Sequence, residues 1–115
     1  MPAVTPLSDA DYLARARAML DAIEAQVDAW LDADVVDIDG HRTGGLLELS
    51  FPNGSKIILN TQPPLQEIWL AAKAGGYHFR FSDGAWQDTK TGVEFLSLLS
   101  TQASAQSGCV LCFSA

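Results

Sequence analysis

Between residues 46 and 88 the chain is a series of short alternating runs joined by links too brief to cross a sheet. Leu47, Leu49 and Phe51 alternate with other residues, as do Ile57 and Leu59, Ile68 and Leu70, and Tyr77, Phe79 and Phe81. A period of two sends one set of side chains to one face, so each run reads as a half-buried strand. Strands are expected at Leu46–Phe51, Ser55–Asn60, Glu67–Ala72, Tyr77–Phe81 and Ala85–Asp88. Pro52-Asn53-Gly54, Gly75-Gly76 and Asp83-Gly84 supply the turns between them. Parallel neighbours need a crossover of a dozen residues or more, so the strands must pair antiparallel.

Helical periods flank this region. Leu13, Ala16, Leu20, Ile23, Val27 and Trp30 recur at three and four residues, which predicts a helix over 8–31 with one buried stripe. Ser8 is its N-cap, and Asp9 and Asp11 place negative charge at the positive end of the helix dipole. A further strand is expected at Val35–Asp39 with Val36 and Ile38 inward, followed by a turn over 40–45. Thr91 to Glu94 fits a capping box opening a second helix that runs to about Ala105, with Phe95 and Leu98 or Leu99 as its stripe. Trp30 and Trp86 read as core. The order helix, five to six strands, helix predicts an α+β fold: a two-layer α-β sandwich with an antiparallel sheet and both helices on one face. With 115 residues, a single domain over 1–115 can bury a core without metal or disulfide staples, the core covering 8–106 and the tail 107–115.

Charge is unevenly placed. Residues 1–40 hold nine acids and two bases, net −7, while residues 41–115 are neutral overall. Such a one-sided field repels nucleic acid phosphates and attracts cations or basic proteins. No run approaches the ~20 apolar residues of a membrane helix. The N-terminus lacks a basic region followed by an apolar run, so no signal peptide is expected. No Ser-His-Asp set, phosphate-binding loop or dinucleotide-binding glycine pattern occurs.

At 100° per residue, Asp21, Glu24, Asp28 and Asp32 fall within an arc of roughly 80° beside the buried stripe. Asp37 and Asp39 face outward on the next strand if Val36 and Ile38 point in. Helix flank and strand are expected to form one anionic ridge, with Asp34 beside it. Like charges three and four residues apart cost ~0.2–0.5 kcal/mol per pair in an isolated helix. A face serving only solvation intersperses Lys, and here only Arg17 neighbours the stripe. All-oxygen ligands favour hard cations: iron in either oxidation state, Mn(II), Mg(II) and Ca(II). An open ridge offers one or two carboxylates per ion, so binding is expected to be weak and exchangeable. It is not the enclosed carboxylate cage of an iron oxidase.

With Ile68 and Leu70 inward, Trp69 must point out, sharing the outer sheet face with Asn60, Lys56, His78 and Arg80. An outward Trp among polar groups is a common interface anchor. Cys109 and Cys112 form an isolated C-x-x-C that follows a helix, where a redox motif opens one, and they lack the partners of a zinc site.

The chain also carries a particular order of side chains: Asn53-Gly54-Ser55-Lys56, Asn60-Thr61-Gln62, Pro64-Leu65-Gln66-Glu67-Ile68-Trp69-Leu70 and Gly75-Gly76-Tyr77-His78-Phe79. As a set it resembles the frataxin family, in particular its bacterial CyaY-type branch, over about Ser8 to Gln106. The resemblance implies the same α-β sandwich, with the C-terminal tail lying between the helices. It implies that Asp21, Glu24, Asp28, Asp32, Asp37 and Asp39 bind iron and meet a basic partner surface. It further implies that Asn60, Gln62 and Trp69 contact the iron–sulfur assembly complex. The expected role is a non-enzymatic iron-binding regulator or iron donor in iron–sulfur cluster assembly, cytoplasmic and bacterial. The expected partners are a cysteine desulfurase and the cluster scaffold protein, with no nucleic acid and no membrane. The protein is expected to be a monomer, with metal-induced oligomers allowed. Frataxins often carry adjacent acid pairs where this chain has Ala25 and Ala29, so the number of ion sites stays open. Two other readings also stay open: an iron-oxidising or iron-storage protein, and a metal-independent interaction module.

Overall fold

The computed structural model describes residues 7–114. Helix α1 spans Asp9–Asp32, and the Ser8 hydroxyl accepts from the Asp11 backbone N–H, as its sequence position predicts. Six strands follow: β1 Asp39–Thr43, β2 Leu46–Ser50, β3 Lys56–Gln62, β4 Glu67–Ala72, β5 Gly75–Ser82 and β6 Ala85–Asp88. A single 3-10 turn, Pro63–Leu65, links β3 to β4, and helix α2 covers Phe95–Ser107. The sheet order is β1-β2-β3-β4-β5-β6, every pair antiparallel. The short links dictate this meander, since each strand can reach only the one before it.

Leu47, Leu49, Ile57, Leu59, Ile68, Leu70 and Phe79 line the inner face, each at most 1% exposed. Both helices cover that face. Val27 of α1 lies over Gly40 of β1, where an added Cβ would stand 3.4 Å from the valine methyl. Phe95 of α2 meets Phe79 edge to face with ring centres 4.8 Å apart. The buried stripe of α1 is Tyr12, Ala16, Leu20, Ile23 and Val27. Truncating a residue such as Leu20, fully enclosed here, costs about 2–5 kcal/mol. Leu13 and Trp30, expected in the stripe, are only half-buried at its margins, and Tyr12 takes the inner place. Trp86 is core as expected, beside Tyr12 and Phe81.

Several local expectations shift. The first strand is Asp39–Thr43 rather than Val35–Asp39, because Gly40 and Arg42 pair with Leu49 and Leu47. The alternation of 36–38 survives without strand pairing and runs on into β1: Ile38 is buried, Val36 half-buried, and Asp37 and the paired Asp39 are exposed. Gly75 and Gly76 belong to β5, and Lys73 with Ala74 makes the turn. Asp83 and Gly84 do form their turn, both at positive φ (53° and 80°), as a tight hairpin with right-handed twist requires. Glu94, not Thr91, caps α2: its carboxylate accepts from the backbone N–H groups of Leu96 and Ser97 at 2.7 and 3.2 Å.

The tail after α2 folds back along it. Ser104 Oγ accepts from the Leu111 N–H at 2.9 Å and donates to the Leu111 carbonyl at 3.1 Å, and Ser100 Oγ accepts from the Phe113 N–H at 2.8 Å. Leu111 and Phe113 are buried, and Phe113 packs edge to face on Trp30 of α1 at 4.8 Å. The tail thus touches both helices.

Candidate functional site

Two surfaces carry the chemistry. The first lies where α1 runs over the edge strand β1. Arg42 sits on the inner side of β1, in register with Leu47, and its guanidinium reaches across to Asp21 at 2.8 Å and Glu24 at 3.3 Å. This clasp and the Val27–Gly40 contact bring the acids of the helix flank and those at the start of β1, Asp37 just before it and Asp39 its first residue, to one edge of the sandwich. Asp28, Asp32, Asp37 and Asp39 are exposed there, and among the described residues none of the four has an ion-pair partner.

The predicted ridge therefore divides in two. Asp21 and Glu24 are engaged by an arginine placed by the sequence reading in a turn. The other four carboxylates stand free in solvent. Asp34, at φ 61, closes the turn after α1 beside them. Among the described residues no three His, Cys, Asp or Glu converge as a ready-made metal cage. What the edge offers is a field of separate carboxylates, each able to share an ion with water.

The second surface is the outer face of the sheet. Its register places two rows side by side across β3, β4 and β5: Asn60–Trp69–His78 and Gln62–Glu67–Arg80. Directly opposed residues share a face, so all six project outward, as alternation requires of Asn60, Trp69, His78 and Arg80. Trp69 is half-buried rather than exposed. Its indole lies flat on the His78 ring, centres 4.2 Å apart and planes 7° from parallel. Its Nε1–H donates to Glu67 Oε1 at 2.9 Å.

Glu67 organises the block, and sequence reasoning missed it. Its other carboxylate oxygen, Oε2, accepts from Arg80 at 2.8 Å, and His78 Nδ1 stands 3.8 Å from Oε1. Although it faces outward, Glu67 is only 6% exposed, because Trp69 and Arg80 close over it. From the inner side, the Tyr12 hydroxyl donates to the Glu67 carbonyl at 2.6 Å and accepts from the Gln62 N–H at 3.1 Å. One buried phenol on α1 thus ties the end of β3 to the start of β4, directly beneath Gln62 and Glu67. Burial, and secondarily the Glu67 carboxylate, pushes the Tyr12 hydroxyl above its ordinary pKa of 10.0, against the lowering effect of the Gln62 N–H. The result is an aromatic plate, Trp69 stacked on His78, flanked by the Asn60 and Gln62 amides and by Arg80. Among the described residues no helix is long and apolar enough to cross a membrane.

Comparison with known proteins agrees with this architecture. A family model described as a frataxin-like domain matches residues 5–109. The iron-sulfur cluster assembly protein CyaY of Burkholderia mallei (strain SAVP1) is 56% identical over 109 residues, covering 95% of this chain and all of that relative. Among solved structures, frataxin from Psychromonas ingrahamii superposes with a TM-score of 0.84 at 32% identity, covering 95% of this chain and 100% of the other. A ferrous complex of trimeric frataxin from Saccharomyces cerevisiae shares the fold at a TM-score of 0.64 and 24% identity, covering 94% of this chain and 93% of the other. With the family model matched along nearly its whole length, this chain belongs to the frataxin family.

Proposed function

We propose that this chain is a non-enzymatic, iron-binding regulator or iron donor in iron–sulfur cluster assembly, working as one domain in the bacterial cytoplasm. The reading is supported by a relative at 56% identity that is named an iron-sulfur cluster assembly protein. The observation that carries it is the set of exposed, unpaired carboxylates Asp28, Asp32, Asp37 and Asp39 at one edge of the sandwich. Hard cations prefer such oxygen ligands, and separate carboxylates completed by water hold them weakly and release them readily. Asp21 and Glu24 contribute once Arg42 swings aside. A yeast frataxin of the same fold has been obtained with ferrous iron. The same anionic edge is complementary to a basic surface, which on this reading belongs to the cysteine desulfurase. The plate of Asn60, Gln62 and Trp69 faces the scaffold protein.

Titration with Fe(II) in the presence of oxygen, followed by backbone NMR, tests the proposal. Signals of Asp28, Asp32, Asp37 and Asp39 should broaden first, with weak saturation and no catalytic oxygen consumption. Turnover of oxygen would instead support an iron-oxidising protein. Absence of any binding would leave a metal-independent interaction module. Broadening spread equally over Glu67, Asp88 and Glu94 would remove the acidic edge as the site.

A further inference from the structure

Cys109 and Cys112 have a setting in the fold that their sequence pattern does not disclose. Both thiols are free and exposed, and they are the only cysteines of the chain. The segment carrying them is held by its alternate residues. Leu111 and Phe113 are each 4% exposed, with their side chains in the core, while Val110 is 96% exposed. The anchors fix how extended this segment is. Ser104 and Ser100 bind the backbones of Leu111 and Phe113. Four residues of helix rise about 6 Å. Two tail residues cover that distance, about 3 Å each, which is the rise of a strand.

Carried back through Val110, whose exposure continues the alternation of Leu111, Cys112 and Phe113, that rise would set the Cα atoms of Cys109 and Cys112 about 10 Å apart. A disulfide needs its Cα atoms within about 4.4–6.8 Å. The ring can therefore close only if the backbone between the two cysteines buckles. The residue in the middle of that stretch is Leu111, whose N–H and carbonyl both bind Ser104. Closing the ring and seating Leu111 exclude one another.

We propose that Cys109 and Cys112 are a redox modification site for small-molecule disulfides, and that their oxidation draws Leu111 and Phe113 out of the core. One cysteine, as its thiolate, attacks a sulfur of the small disulfide. The protein–sulfur bond forms as the disulfide bond breaks, and the leaving thiolate takes up a proton. The second cysteine then attacks the protein sulfur of this mixed disulfide, forming the Cys109–Cys112 bond and expelling the second small thiol. The cysteine pair loses two electrons and two protons, and the small disulfide becomes two thiols. The coupling is reciprocal: whatever loosens the tail favours the disulfide, and the disulfide loosens the tail.

The test equilibrates the full-length protein with mixtures of oxidised and reduced glutathione, traps thiols by alkylation and reads the mass. Wild type should lose about 2 Da as an intramolecular disulfide forms. The oxidised form should melt several degrees lower, with the reduced melting temperature restored by dithiothreitol. Cys112→Ser should show neither the mass loss nor the reversible shift. At one glutathione ratio, Phe113→Ala should raise the disulfide-to-dithiol ratio about tenfold. The milder Ser104→Ala, which keeps both apolar side chains, should raise it several-fold and covers the case in which Phe113→Ala fails to fold. Glutathione adducts or cross-linked dimers without the intramolecular bond would overturn the proposal. So would a disulfide that forms with no change in melting and no response to Ser104→Ala.

Discussion

Replacing Glu67 by alanine removes the acceptor on which the outer-face plate rests. Two donors lose their partner, the half-buried Trp69 indole and the Arg80 guanidinium. A hydrogen bond of the first kind contributes about 1 kcal/mol net. The Arg80 side chain is 57% exposed and can turn to water, so its pair is screened and contributes no more than about 1 kcal/mol. The expected loss is therefore about 1.5–2 kcal/mol, well below the cost of stranding a fully buried charge. For a domain of this size that corresponds to a fall in melting temperature of roughly 5–10 °C. Glu67→Gln keeps an oxygen toward Trp69 and should lose about half as much. Arg80→Ala should cost less in the Glu67→Ala background than in wild type, with a coupling of about 1 kcal/mol from the double-mutant cycle. Thermal melts of wild type and the four variants by circular dichroism, with tryptophan fluorescence to follow the indole, measure all three quantities. Equal losses from Glu67→Ala and Glu67→Gln, together with strict additivity with Arg80→Ala, would refute the idea that this carboxylate organises the plate.

Other substitutions separate the two surfaces. Trp69→Ala should cost about 1–2 kcal/mol, less than the ~3–5 kcal/mol of a core aromatic, while weakening capture of the scaffold or desulfurase; unchanged binding in a pull-down leaves the acidic edge as the only docking surface. Glu24→Lys combined with Asp28→Lys should abolish desulfurase binding, and wild-type binding should weaken steeply with added salt; salt-independent association measured by titration calorimetry contradicts the electrostatic reading. Tyr12 holds its hydroxyl proton more tightly in the folded state than in the unfolded chain, so its contribution is complete below about pH 10 and is lost as pH rises through the raised folded value. Tyr12→Phe should lower stability at neutral pH by about 1–2 kcal/mol and flatten the alkaline decline; an unchanged alkaline limb in pH-dependent urea melts rules this out.

The strands, their antiparallel order and the two-layer sandwich were legible because hydrophobic period and turn length are local quantities. Element positions were less so wherever a partner decides them. Val35 and Val36 carry strand propensity, yet the edge strand begins at Asp39, because Leu47 and Leu49 of β2 pair with Arg42 and Gly40. Gly75 and Gly76 look like a turn, but Lys73 and Ala74 turn instead and Gly75, at φ 153°, opens β5. Tyr12 was passed over because its hydroxyl counts against burial, whereas that hydroxyl is what the ends of β3 and β4 need. On the acidic edge the outward aspartates could be read from alternation. The capture of Asp21 and Glu24 by Arg42 could not, since it joins residues about twenty apart through the packing of a helix on a strand. Glu67 was hidden for the same reason: its partners become neighbours only through the β4–β5 register.

The sheet order also sets a sequence of events in folding. Each strand pairs with its predecessor, so β1 to β6 can zip as successive hairpins with small loop-closure cost. The amphipathic α1 is the first described element to leave the ribosome, before any surface exists for Tyr12, Leu20 or Val27 to bury against. Phe95 covers the inner face beside Phe79, and Leu111 and Phe113 are buried from the tail, Phe113 against Trp30. The part of the inner face that α2 and the tail segment cover therefore stays wet until those residues are made, after every strand they pack on.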